Sequence, residues 1–235
     1  MKVLLIAGNF VREQRLLAIL LLMYALASAV LFGFGEARVS TEDVSAFVEQ
    51  QSIYAVLFSL FSGAWAIQNE RKTRRIIAVL SKAVTRRQYI AGLLAGISAI
   101  FVGYCLTIGL AGTWLMRHAV WRPLQLWTLL GCTIIAALLG AAVSVFYSTL
   151  LPPIVAMAAT GVTLGLPAAL ERVLGPRSAE LLPVYVLVRA VARTPFTSPR
   201  VVGWHTVAIA IIEILFLWTA AAWVFDRRDV TVALE

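Results

Sequence analysis

Six stretches of this chain, residues 16–34, 52–68, 89–116, 124–147, 152–170 and 204–225, read as membrane spans. The first five carry no Asp, Glu, Lys or Arg, and the sixth carries only Glu213. A helix crosses the hydrocarbon core with about 20 mostly apolar residues, so each run can cross once. The third is long enough to tilt or to project beyond the bilayer. A closed β-barrel would instead alternate apolar and polar residues over segments of about 10, and no such alternation is present. The expected fold class is an all-α polytopic membrane protein with six transmembrane helices, forming a single transmembrane domain over 1–235.

Composition closes the other routes. The chain is 61% hydrophobic and 14% charged, with a mean hydropathy of +0.88. Soluble domains lie near ~45–50% and ~25%, and a chain of this size cannot hide so much apolar surface from water. The same figures exclude disorder, and 15 Gly and two Cys exclude collagen and a disulfide scaffold. Ala27-Ser28-Ala29 resembles a leader cleavage site, but the apolar run continues to Phe34 and reads as a span.

Orientation follows the basic residues. Lys2, Arg12, Arg15, Arg71, Lys72, Arg74, Arg75, Lys82, Arg86, Arg87, Arg227 and Arg228 fall on one side of a six-span layout, 12 of the 20 Lys and Arg. The segment 35–51, with Glu36, Glu42, Asp43 and Glu49 against Arg38, falls on the other. Both termini are therefore expected in the cytoplasm. Trp65, Trp114, Trp121, Trp127, Trp204 and Trp223 lie near span ends, where an indole prefers the headgroup level. Cys105 and Cys132 read as small buried hydrophobes, and His118 and His205 as interfacial residues.

Motifs for chemistry are missing from the sequence. It holds no G-x-x-x-x-G-K-[ST], no H-E-x-x-H and no G-x-S-x-G, so it offers no P-loop, zinc or serine-hydrolase site. The expectation is a protein that is not an enzyme and holds no metal. Its net charge of +8 follows from topology, and no aromatic stacking platform accompanies it, so no nucleic-acid partner is expected.

The informative segment is the basic loop 69–88. Ile76, Ile77, Val79, Leu80, Ala83 and Val84 share one helical face, and Arg71, Arg75 and Lys82 lie on a neighbouring one. Thr85-Arg86-Arg87-Gln88 fits a capping box that would start the third span. An amphipathic helix at the membrane surface could anchor on anionic lipid, at about 1 kcal/mol per basic residue, or dock a cytoplasmic partner. Spacing does not separate the two.

Resemblance does. Glu70, Leu80, Ser81, Val84, Arg86 and Gly92, with Thr85 in place of a serine, match a pattern that resembles the cytoplasmic loop of ATP-binding-cassette exporter permeases of the second type. Phe10 to Arg15 is similar to that family's amphipathic N-terminal helix, and Phe225 to Val230 to its C-terminal end. Ala83, Leu93 and the arginines around Arg74 depart from the pattern. The resemblance implies an export permease of the cell inner membrane, paired with a second copy or a similar permease. It also implies a separate P-loop ATPase subunit that carries ATP with magnesium and docks on this loop. Glu70, Arg71, Arg75, Ile76, Leu80, Lys82 and Arg86 would be the ATPase-coupling residues. An interfacial or re-entrant element is expected within the external segment 171–203.

Glu213 is the anomaly inside the bilayer, where a charge costs several kcal/mol unless paired, hydrated or protonated. Thr206, Ala210, Leu217 and Ala220 share its face, while Ile211, Leu215 and Trp218 lie elsewhere, so Glu213 is expected to face the bundle, a dimer seam or a wet cavity, as a pathway or gate residue or as a structural hydrogen bond. Small residues recur at four-residue spacing as Gly92 and Gly96, Gly161 and Gly165, and the stripe Ala136, Gly140, Ser144 and Ser148, suiting close helix approach in lipid. Two other function classes remain: a secondary carrier or channel working without ATP, and a membrane scaffold recruiting a soluble complex.

Overall fold

Long apolar runs in which every backbone donor must be satisfied internally give helices, and helices are what form. The computed structural model describes residues 2–34, 41–72, 84–115, 123–175, 184, 186–188 and 203–227. Among the described residues seven long helices follow one another: α1 (Lys2–Glu13), α2 (Arg15–Phe34), α3 (Thr41–Lys72), α4 (Arg86–Leu115), α5 (Pro123–Leu150), α6 (Pro153–Leu174) and α7 (Trp204–Arg227). No strand occurs among the described residues. Five of the helices, α2, α4, α5, α6 and α7, are long and apolar enough to cross a membrane, which makes this a membrane-embedded, multi-pass protein.

Helix ends follow local chemistry. Thr85 and Gln88 form the expected capping box, Gln88 N donating to Thr85 Oγ1 and Thr85 N to Gln88 Oε1, each at 3.3 Å. Pro152 and Pro153 start α6, where a missing N–H is harmless, and Gly175 at φ 87° ends it. α4 has 30 residues, about 45 Å at 1.5 Å per residue, and so exceeds a hydrocarbon core of about 30 Å.

The second run departs from expectation. α3 begins at Thr41 rather than Ser52 and spans 32 residues, so 41–51 is helix and not loop. The charges of this stretch suggest a loop, but Val44, Phe47, Val48 and Gln51 fall on one helical face and are buried. α3 is also less apolar than the other long helices. Its Ser52, Ser59 and Ser62 are buried in the protein, so lipid does not have to accept them.

From α2 onward, consecutive helices alternate in direction. Tyr24 packs on Tyr54 and Phe32 on Phe47, which sets α2 antiparallel to α3. Tyr104 meets Gln51 and Phe101 meets Phe58 across α3 and α4, and Tyr147 meets Thr163 across α5 and α6. α3 and α5 run parallel. Ser52 Oγ lies 2.9 Å from Thr133 Oγ1, and Ser144 Oγ donates to Leu60 O at 2.7 Å. The stripe Ala136, Gly140 and Ser144 is therefore the seam of α5 against α3, where Gly140 faces Ser59 and Gly63 faces Ser144. Packed this way, the starts of α1 and α4 and the ends of α3 and α7 share one end of the bundle.

α4 is the central helix, touching α1, α2, α3, α5 and α7. Its Gly92 and Gly96 form a groove for α1, Gly92 against Ile6 and Gly96 against Phe10. Farther along, Gly33 of α2 meets Trp114 and Leu115, so α1 and α2 follow α4 in the same direction. Hydrogen bonds from Gln14 N to Phe10 O and from Ala18 N to Gln14 O continue helical pairing across the break between them. A Cβ at Gly92 would lie 2.6 Å from Ile6 Cβ, an atom with little freedom to move. Gly92→Val is expected to destabilise α1 docking by about 1–3 kcal/mol. A cysteine placed at Ala7, protected in the parent, should then react readily with a maleimide.

A second apolar cluster joins Leu60, Ala136, Leu139, Val143, Leu164 and Ala210, from α3, α5, α6 and α7. Val184 and Leu187 complete it, with 184 and 186–188 helical. Within the segment 171–203, then, α6 extends to Leu174 and a short helical piece packs into the bundle. Residues 176–183, 185 and 189–202 of that segment lie outside the described residues.

Candidate functional site

Two arrangements stand out from the packing. The first is at the bundle end that carries the basic loop. Residues 69–72 are the last turn of α3, and 73–83, with Arg75, Ile76, Leu80 and Lys82, lie outside the described residues. Glu70 and Arg71 belong to that last turn of α3. The helix expected on the loop therefore also lies outside the described residues.

Arg86 reaches across to α7. Its Nη1 donates to Phe225 O, and at 2.8 Å to Asp226 O, while its Nε lies 3.7 Å from Asp226 Oδ1. The guanidinium also stands 5.6 Å from the Phe225 ring centroid, and that ring stacks on Tyr89 at 5.8 Å. The last carbonyls of a helix have no intrahelical donor and carry the negative end of its dipole, so a cation there is doubly favoured. Nearby, Trp218 Nε1 donates to Arg87 O at 3.2 Å, and Arg227 lies 3.9 Å from the Trp223 ring. Trp218 thus joins the α4–α7 contact, although its helical position suggests the outer face.

The second arrangement is a cleft of about 220 Å³ between α5, α6 and α7. α6 and α7 each pack on α5 but hardly on one another, which leaves a groove floored by α5. Val143, Phe146, Phe216 and Leu217 form its apolar walls, and Tyr147, Thr163 and Glu213 its polar part. Tyr147 Oη and Thr163 Oγ1 are 2.9 Å apart, and Thr163 also donates to Ala159 O. Glu213 faces inward as its neighbours require, with Thr206 and Ala210 buried and Ile211 and Leu215 exposed. Its Oε2 is buried and has no hydrogen-bond partner among the described residues. Tyr147 and Thr163 have no sequence signature as site residues, because hydroxyls on apolar spans most often bond their own helix.

Gln51 and Tyr104 form a third polar contact, Tyr104 Oη donating to Gln51 Oε1 at 2.5 Å. Cys105 and Cys132 are buried free thiols. Among the described residues no three His, Cys, Asp or Glu come together as a metal site.

Compared with known proteins, the chain matches no family model and no curated protein.

Proposed function

We propose that this chain is the transmembrane permease subunit of an ATP-binding-cassette exporter, with six spans and both termini in the cytoplasm of a cell with an inner membrane. It forms the substrate path. A separate P-loop ATPase, which holds ATP and magnesium, docks on 69–88 and supplies the energy, so this chain performs no catalysis. A second permease copy or a similar permease completes the path, and Gly161 and Gly165, open on the outer face of α6, permit close helix approach.

The observation that carries this reading is how the helices on either side of the loop are held. The loop joins the end of α3 to the start of α4, and Arg86, at its far side, is fastened to the end of α7. Displacing the loop pulls α4 directly and α7 through Arg86, and α7 carries Glu213. Glu70, Arg71, Arg75, Ile76, Leu80 and Lys82 would form the docking surface, and Arg86 would transmit its movement.

The test is affinity purification from the native membrane, with the parent and with Ile76→Asp combined with Leu80→Asp. A soluble P-loop ATPase is expected with the parent and not with the double variant, whose spans remain intact. A folded parent that repeatedly brings no ATPase would overturn the proposal. One observation favours a rival, the ATP-independent carrier: carboxyls buried at membrane depth are common working parts of proton-coupled carriers. Absence of the ATPase would move that reading to the front.

A further inference from the structure

We infer that the cleft between α5, α6 and α7 binds a lipophilic monocation, an apolar amphiphile with one protonated amine, which enters sideways from the bilayer. This deepens the permease reading and rests on it for the role of the cleft as part of a transport path.

The charge of the occupant follows from Glu213. A buried carboxyl oxygen without a partner costs free energy that a bound cation would recover, whereas an anion would meet like charge. Tyr147 and Thr163 add two hydroxyl oxygens to the same cleft, so an ammonium with three N–H groups finds more than one acceptor. Phe146 and Phe216 also line the cleft, and an aromatic face attracts a cation. A calcium or magnesium ion would want six or more oxygens in its shell, and among the described residues that line the cleft Glu213 is the single acidic or imidazole group.

The apolar part of the occupant follows from the walls. Four of the seven lining residues are Val143, Phe146, Phe216 and Leu217, so a fully polar solute would leave most of its groups unsatisfied. At about 220 Å³ the cleft is smaller than the ~300–1,000 Å³ typical of drug-sized sites. It holds a head and its first carbons, and a longer tail must lie outside. The groove between α6 and α7 supplies the exit. Phe216 is 68% exposed at its rim, on a flank whose other exposed residues, Ile212 and Leu215, suit lipid.

The experiment is equilibrium binding of radiolabelled dodecylamine to the purified full-length protein in lipid nanodiscs, with empty discs measuring partition. Saturable binding is expected, displaced by unlabelled dodecylamine and not by dodecanol or dodecanoate. Glu213→Gln, nearly isosteric and uncharged, should weaken binding at least about tenfold, and Thr163→Val or Tyr147→Phe by roughly threefold to tenfold. No saturable binding, equal displacement by dodecanol, or undiminished affinity in Glu213→Gln would each overturn the inference. If thermal unfolding shows that Glu213→Gln has lost its fold, the displacement series on the parent decides alone. Since the ATPase is absent from this assay, its result stands apart from the co-purification test.

Discussion

Gly63→Leu is expected to prevent α3 from pairing with α5 and so to abolish the assembled bundle. A Cβ at Gly63 would lie 2.8 Å from Ser144 Cβ and 2.9 Å from Ala141 O. Neither atom belongs to a flexible side-chain end, so relief requires the two helices to part. Parting them strains the bonds from Ser144 Oγ to Leu60 O and between Ser52 and Thr133. Forcing one extra methyl into a packed seam costs about 1–3 kcal/mol, and a leucine adds several more carbons. Gly140→Ala should be milder, since the nearest atom to its Cβ is the Ser59 hydroxyl, which can rotate. Gly161→Ala should be neutral or stabilising within the single chain, because no described residue lies within 4 Å of its Cβ and alanine is the better helix former. Thermal unfolding in detergent should rank the three in that order. Similar losses at Gly63 and Gly161 would contradict the α3–α5 seam.

Arg86→Ala should loosen the end of α7 from α4, at a cost of about 2–3 kcal/mol, and magnitudes decide which contact matters. The side chain is 27% exposed, and Asp226, its acidic partner, is 75% exposed. An ion pair that open to solvent is worth about 0–1 kcal/mol and fades with salt. Hydrogen bonds from a charged donor to the carbonyls of Phe225 and Asp226 are worth about 1.5–3 kcal/mol, and the contact with the Phe225 ring about 0.5–1 kcal/mol. The carbonyl contacts therefore dominate. Asp226→Asn should change stability by less than about 1 kcal/mol, while Arg86→Ala should speed hydrogen exchange over the last turns of α7. Arg86→Lys should fall between them, since an ammonium keeps the charge but lacks the planar fork. Equal effects of Asp226→Asn and Arg86→Ala would assign the latch to the ion pair instead.

How legible each feature is depends on the range of the physics behind it. The helices at 15–34, 86–115, 123–150, 153–174 and 204–227 are local consequences of uncharged apolar runs with proline, threonine and glycine at their ends, and their bounds agree with the sequence reading to within a few residues. The start of α3 was less legible. Glu42, Asp43 and Glu49 suggest a loop, and only the burial of Val44, Phe47 and Val48 against the bundle shows why helix continues there. That Glu213 faces inward also follows from its own helix, through Thr206 and Ala210.

Partners are another matter. Three small-residue stripes look alike in sequence, yet Gly92 and Gly96 receive α1, Gly140 and Ser144 receive α3, and Gly161 and Gly165 meet nothing among the described residues. Similarly, the motif around Arg86 marks a loop end, while its contact with α7 joins residues about 140 positions apart. Sequence by itself determined that the chain spans a membrane as helices, because burial in lipid is a property of each segment taken alone. The tertiary structure decided which glycine meets which helix, where Arg86 is engaged, and that Tyr147 and Thr163 share a cleft with Glu213, because helix packing depends on pairs of surfaces and no single segment encodes its partner.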